Sequence, residues 1–419
     1  MLSRAWLGGE KRECAQKEAK EAKRKMRALD LFSGVGGLAL ALLPFVEHVG
    51  YCEIDAYCRR VLAARMREHA LPRAPVHDDV RTLHAAALCP SIVVGGFPCQ
   101  DVSTLGARTG MDGARSSLFF EIARVVDEAP SVVAVFLENV SNIAACGGED
   151  VVRALAARGF AMRWTMRAAS DEGAPHVRLR WFLLAVRGDG ARRVSEAVAG
   201  HALETGPWPA EPETSVTPRE EQGADWAKRM GALGNAVVPR VARNAFVELA
   251  ASTHAWHACA SMLCAEELTH EIPRGGMLVD GKLYALPHGG ARSARYPTPR
   301  SANVYPTTRG GARTETLSTI LVHEAAPDAP HGVLPDARYV EWMMGFPRDW
   351  TLVPEPAPAA AASASSAANA EPRPRARLNG LHMFMRECPG HNVSAASALW
   401  RALTPARRAE YSAAARRMD

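Results

Sequence analysis

The chain has 419 residues, 47% of them hydrophobic and 23% charged, with a net charge of +5 and nine cysteines. That length accommodates one large core of roughly 220 to 250 residues plus smaller modules. No run of about 20 apolar residues and no signal-peptide pattern occurs, and the cysteines form neither a Cys-x-x-Cys pair nor a regular framework. These features argue against a membrane or secreted protein and for reduced thiols inside a cell.

Glu10 to Arg27 mixes Lys, Arg and Glu at helical spacing and reads as a solvated helix or disordered stretch, part of a basic arm over residues 1–27. From Arg27 to Leu42, an apolar Ala-Leu-Asp-Leu-Phe strand breaks at Ser33-Gly34-Val35-Gly36-Gly37 and continues as a Leu/Ala helix. Glycines there let the backbone approach a ligand and the helix N-terminus offers free N–H groups, although tight strand-to-helix turns use glycine anyway. Tyr51-Cys52-Glu53-Ile54-Asp55 sets an acid at the end of the next strand, where a carboxylate can accept both ribose hydroxyls of an adenosine. A third strand ends at Val76-His77-Asp78-Asp79-Val80. A fourth runs through Ser91-Ile92-Val93-Val94 into Gly95-Gly96-Phe97-Pro98-Cys99-Gln100 and displays a thiol, a candidate nucleophile, at its end. Residues 100–116, rich in Gly, Thr, Ser and Arg without apolar periodicity, read as a mobile loop. Ser131 to Val140 is a buried-strand pattern that stops abruptly at Glu138, a position equally suited to a helix cap, a solvated charge or an acid. Gly, Glu, Asp and Cys at successive strand ends thus line the carboxyl edge of one parallel sheet, where doubly wound sheets bind ligands.

Together these segments resemble the cytosine-C5 DNA methyltransferase family. Asp30 to Gly37 is similar to its first motif, Pro98-Cys99-Gln100 to its fourth, Glu138-Asn139-Val140 to its sixth, Arg178-Leu179-Arg180 to its eighth and Gly234 to Pro239 to its tenth. The resemblance implies an α/β, doubly wound, Rossmann-like fold dependent on S-adenosylmethionine, in a catalytic domain over residues 28–250. It implies methylation of cytosine C5 in double-stranded DNA. In that chemistry Cys99 adds to C6, Glu138 shares a proton at N3, and Arg180 with Arg178 holds the base O2 and orients the carboxylate. By the same resemblance Phe32, Gly34, Gly36 and Gly37 surround the methionine part of the cofactor, Glu53 takes the ribose, and Ile54 and Asp79 take the adenine. Pro98, Leu118, Asn235 and Ala236 close that pocket. The target base must leave the duplex stack, which places Gln100, Ser103, Arg108, Arg115 and Asn139 on the substrate.

The order of segments departs from the family pattern. Residues 187–227 are too short and proline-rich for a recognition region, and Val340 to Pro347, similar to the ninth motif, follows the tenth instead of preceding it. Recognition is therefore expected in residues 251–353, where Arg300 and Arg309 lie among Tyr and Thr in a composition suited to groove contacts. His176-Val177 stands where the eighth motif more usually has Gln-Arg. His254, His257, Cys259 and Cys264 are too loosely spaced for zinc, so no metal is expected. Residues 354–376 form an Ala/Pro/Ser linker expected to be disordered, and residues 377–419 resemble an abbreviated HMG box. From Glu371 onward nine arginines face four acids. A relative acting on transfer RNA and a catalytically idle DNA-binding protein are the other functions considered. Intact Cys99, Glu138, Arg178 and Arg180 speak against the idle form, and the late motif with its basic tail favours duplex DNA over transfer RNA. The expected setting is an intracellular compartment that contains DNA, with no membrane contact and no obligate protein partner.

Overall fold

The computed structural model describes residues 25–98, 118–221, 223–256, 271–287, 294–299 and 333–354, with single positions at 317, 320, 321 and 324. Cys99, Gln100, Ser103, Arg108, Arg115, Arg300 and Arg309, the basic arm before residue 25, the linker and the HMG-box-like tail lie outside the described residues.

Strands β1 (Met26–Leu31), β2 (Val46–Cys52), β3 (Val76–His77), β4 (Ile92–Gly96) and β5 (Ala134–Val140) are parallel neighbours in the spatial order β3-β2-β1-β4-β5. Parallel pairs need long crossovers. Helices α1 (Gly37–Leu42), α2 (Ala56–Arg67) and α3 (Leu118–Glu128) lie in those after β1, β2 and β4. Because β1 is flanked by β2 on one side and β4 on the other, the chain reverses its direction of travel across the sheet there, and a crevice opens beyond the strands' carboxyl ends. After α4 (Gly148–Ala156), β6 (Ala161–Ala168) and β7 (Leu179–Val186) extend the sheet antiparallel to their neighbours.

Alternation within each strand divides the core between the two faces of the sheet. Ala134 and Phe136 of β5 pack in the cluster that contains α1, α5 (Gly190–Val198) and α7 (Pro239–Ala251), whereas Val135 and Leu137 belong to the cluster with α3 and α4. Phe136 stacks on Phe182 at 6.0 Å and meets Phe246 edge-on at 5.1 Å, which fastens α7 to the strands that carry the site.

The sheet does not stop at residue 250. Strands β9 (Gly276–Val279) and β10 (Lys282–Ala285) form a hairpin that pairs with β6, making nine strands among the described residues. Met277, Leu278, Val279 and Leu283 are buried. Asp280 and Gly281 take φ values of 51° and 74°, the left-handed pair that a two-residue hairpin turn requires. Part of the region expected to read DNA therefore builds the catalytic sheet.

The late motif returns in space to the same core. Strand β11 (Val333–Pro335) pairs antiparallel with β8 (Val216–Pro218), and α8 (Ala337–Met343) packs against α6 (Trp226–Asn235). Glu341 of α8 is fully buried and accepts from Arg229 Nη2 of α6 at 2.9 Å, from the Thr351 amide at 2.8 Å and from the Thr351 hydroxyl. Removing one partner of such a pair strands the other charge in the core. Glu341→Ala is expected to lower the unfolding free energy by about 3–5 kcal/mol in urea titrations. A loss below about 1 kcal/mol, the usual worth of a surface pair, would show that Arg229 does not depend on this carboxylate.

Candidate active site

The loop after β1 has an unusual backbone: Phe32, Gly34 and Gly36 take φ values of 56°, 53° and 85°. A left-handed aromatic residue is strained, and such strain concentrates at ligand sites. At Gly36 a Cβ would sit 2.9 Å from Leu71, and at Gly37 it would sit 2.9 Å from the Val237 carbonyl, so neighbouring elements press directly on this turn. Glu53, at the end of β2, reaches across to it. One carboxylate oxygen accepts from the Gly34 amide at 2.6 Å and the other from the Asp55 amide at 2.7 Å. Burial raises the Glu53 carboxyl above its ordinary range, with those two N–H groups opposing. A carboxylate offers about four acceptor positions, so capacity remains for two hydroxyls. Beside it Ile54 is 68% exposed, a large apolar surface left uncovered. Strained turn, acceptor pair and bare apolar face fit the amino-acid, ribose and adenine parts of S-adenosylmethionine in turn.

Other members of the expected pocket are differently placed. Asp79 caps a short 3-10 turn, and its carboxylate grips the Arg81 guanidinium at 2.7 and 2.9 Å, which holds it below the usual carboxylate range. Its side chain is thus oriented by Arg81 next to the end of β3. Leu118 is half-buried at the start of α3, Pro98 and Asn235 are exposed, and Ala236 is buried.

On the far side of the switch point, Glu138 Oε1 lies 3.0 Å from Arg180 Nε. Strand register explains the pair. Glu138 sits opposite Phe182 and Val140 opposite Arg180, so the guanidinium approaches on the diagonal, within reach of a long side chain. On the other flank Glu138 is registered with Gly96, where a Cβ would sit 2.9 Å from Oε2. Glycine leaves room for the carboxylate. Burial raises the Glu138 carboxyl, opposed by the charges of Arg180 and Arg178. A carboxyl kept high despite an adjacent guanidinium is suited to holding a proton.

Two of the expected site residues make contacts within the fold. Arg178 is 3% exposed with φ 33°, and its guanidinium donates to the carbonyls of Pro299 at 2.9 Å, Gly234 at 3.0 Å and Ala236. It ties the eighth-like motif to the tenth, and its charge, like that of Arg180, acts on Glu138. Asn139 is likewise buried and donates to the Phe97 carbonyl at 3.0 Å while accepting from the Val140 amide. It fastens the backbone just after β4 to the end of β5. His176 is fully buried, with Nε2 2.9 Å from the Met343 carbonyl, and burial followed by the Arg178 charge pushes its pKa down to about 3. It therefore stays neutral at physiological pH.

Asp30 was singled out only as part of the glycine motif, yet it is fully buried beneath the site. Neither carboxyl oxygen has a hydrogen-bond partner among the described residues, the Ser33 hydroxyl turning to the Asp30 carbonyl at 2.8 Å. Burial, then the Glu53 charge, raises its pKa well above the ordinary 3.8. The unfolded chain releases this proton at lower pH than the folded one, so Asp30 reduces stability progressively as pH rises above 3.8. Asp30→Asn is expected to be more stable than the parent near neutrality, with the gain disappearing toward pH 3. Denaturation midpoints that run parallel across this range would show that Asp30 is ionised in the fold.

Comparison with known proteins agrees with this geometry. The family model for C-5 cytosine-specific DNA methylase matches residues 26–204. The Type II methyltransferase M.CviJI of Paramecium bursaria Chlorella virus IL3A is 32% identical over 166 residues, 39% of this chain and 44% of that protein. M.DsaV of Dactylococcopsis salina is 30% identical, covering 39% and 46%, and M.HhaI of Haemophilus parahaemolyticus is 31% identical, covering 39% and 50%. The chain spans about half the length of the curated relatives it matches. The strand order, the glycine turn and the Glu138–Arg180 pair all lie within residues 26–204, the part of the chain that is similar to the C-5 cytosine-specific DNA methylase family.

Proposed function

We propose that this protein methylates C5 of cytosine in double-stranded DNA, using S-adenosylmethionine and a covalent Cys99 adduct on a base turned out of the helix. The observation that carries the reading is the half-buried Glu138 carboxyl, gripped by Arg180 and flanked by Gly96, three residues before the only cysteine of the Pro-Cys-Gln segment. Phe32, Gly34, Glu53 and Ile54 would hold the cofactor, which when bound supplies an electrophilic methyl group.

The chain's own residues prepare the base. Cys99 as thiolate forms a bond to C6, and the electron pair displaced from the C5–C6 double bond moves toward C5 and N3. Glu138 holds a proton at N3 and so relieves the developing negative charge. Arg180 keeps the Glu138 carboxyl aimed and donates toward the base oxygen. Once C5 has lost its proton, the C6–S bond breaks and the thiolate is regenerated. Asn139 holds the Phe97 carbonyl, two residues before the thiol in sequence. The basic tail, similar to an abbreviated HMG box, adds phosphate contacts without base readout. The setting is a compartment that contains DNA, and no helix among the described residues is long and apolar enough to cross a membrane.

A duplex containing 5-fluorocytosine cannot lose a C5 proton, so the wild-type chain should be trapped on it as a complex stable to denaturation. Cys99→Ser should form no complex and no product, and Glu138→Gln should lower turnover by about 10²–10⁴-fold, the usual worth of a positioned acid. Robust methylation by the serine variant, or trapping on transfer RNA in place of DNA, would overturn the reading.

The cofactor half is tested separately. Glu53→Ala should weaken S-adenosylmethionine binding by about 2 kcal/mol, the loss of charge-assisted hydrogen bonds. Unchanged affinity in calorimetry would remove Glu53 from the ribose.

A further inference from the structure

The pocket that Phe32, Gly34 and Glu53 form is held from behind by residues more than three hundred positions later. Trp350 is 2% exposed, and its indole N–H donates to the Val35 carbonyl at 2.7 Å. Val35 lies between Gly34 and Gly36, at the centre of the left-handed turn whose amide engages Glu53. Phe346 stacks on Trp350 at 5.8 Å and would touch a Cβ at Gly37 at 3.3 Å. The same short stretch also holds α2, the helix that begins just after Glu53. Arg65 donates to the carbonyls of Asp349 at 2.8 Å and Leu352 at 3.2 Å and lies over the Trp350 ring at 5.7 Å, and the Tyr57 hydroxyl donates to the Thr351 carbonyl at 2.6 Å. Residues 346–352 thus form a strap bonded to both walls of the pocket.

We propose that Trp350 is a positioning residue for the glycine loop, so that seating of the 346–352 strap and binding of S-adenosylmethionine are coupled. The inference rests on the methyl-donor reading above. Its physical basis is that Phe32 holds a left-handed conformation that costs energy, the glycines beside it are free to move, and a buried carbonyl deprived of its donor favours rearrangement. A strap that stabilises the loop in its binding shape must in turn be stabilised by whatever binds that shape.

Calorimetry on the full chain tests this. Trp350→Phe keeps a ring in place and removes the donor, and is expected to bind S-adenosylmethionine about fivefold more weakly, as for one lost hydrogen bond. Its KM for DNA and its kcat should stay near wild type. Trp226→Phe removes the donor to the Pro335 carbonyl, in the same late segment but away from the loop, and should leave cofactor affinity unchanged. Equal affinity in Trp350→Phe and wild type, or equal weakening in both variants, overturns the assignment.

A second measurement needs no substitution. In wild-type protein saturated with S-adenosylmethionine, backbone amides of residues 345–352 should exchange hydrogen several-fold more slowly than in its absence. Protection of the loop at 34–37 with none at 345–352 overturns the coupling. Wild-type protein that binds no S-adenosylmethionine would instead overturn the methyl-donor reading on which the coupling stands.

Discussion

Everything in the site depends on β1 having parallel neighbours on both sides. With β2 to one side and β4 to the other, β1 sits where the chain reverses its direction of travel across the sheet, the place where such sheets leave a crevice beyond their carboxyl ends. The contact is tight: a Cβ at Gly95 would sit 3.0 Å from the Leu31 carbonyl. One loop becomes the strained glycine turn that Glu53 engages, and the other leads through Pro98 toward the thiol. The helices and the two apolar clusters serve to keep these two strands in register.

Three carboxyls lie along that edge, Asp30 and Glu53 buried and Glu138 half-buried, and each is accommodated differently. Glu53 is met by two backbone amides, Glu138 by one guanidinium, and Asp30 by no side chain or amide among the described residues. Burial is the leading cause of the raised pKa in all three. A fold shaped only by stability would not gather three acids at one edge of its central sheet. Their grouping beside a strained turn marks where stability has been given up for chemistry.

Much of this was legible along the chain, because the informative residues stand where strands end. Glycines after β1, an acid after β2 and a glutamate closing β5 can be read from apolar runs that stop abruptly. What could not be read was which neighbour faces which. Glu138 and Asn139 are adjacent in sequence but point to opposite sides of their strand, so one meets Arg180 and the other reaches back to Phe97. Arg178 and Arg180, two apart on the way into β7, look equivalent by spacing, yet the left-handed backbone at Arg178 turns it toward the Gly234 and Ala236 carbonyls. The hairpin at 276–285 was hidden because its strands are only four residues each. Nothing local marks Trp350 as a neighbour of Val35.

The hydrogen bond between Val35 and Trp350 spans 315 residues of chain. In a growing polypeptide made at roughly 5–20 residues per second, the glycine loop leaves the ribosome on the order of tens of seconds before its indole partner has been synthesised. Parallel strands β1 to β5 can pair in that interval, but the walls of the pocket acquire their backing only at the end. The glycine turn is thus made long before the strap that backs it.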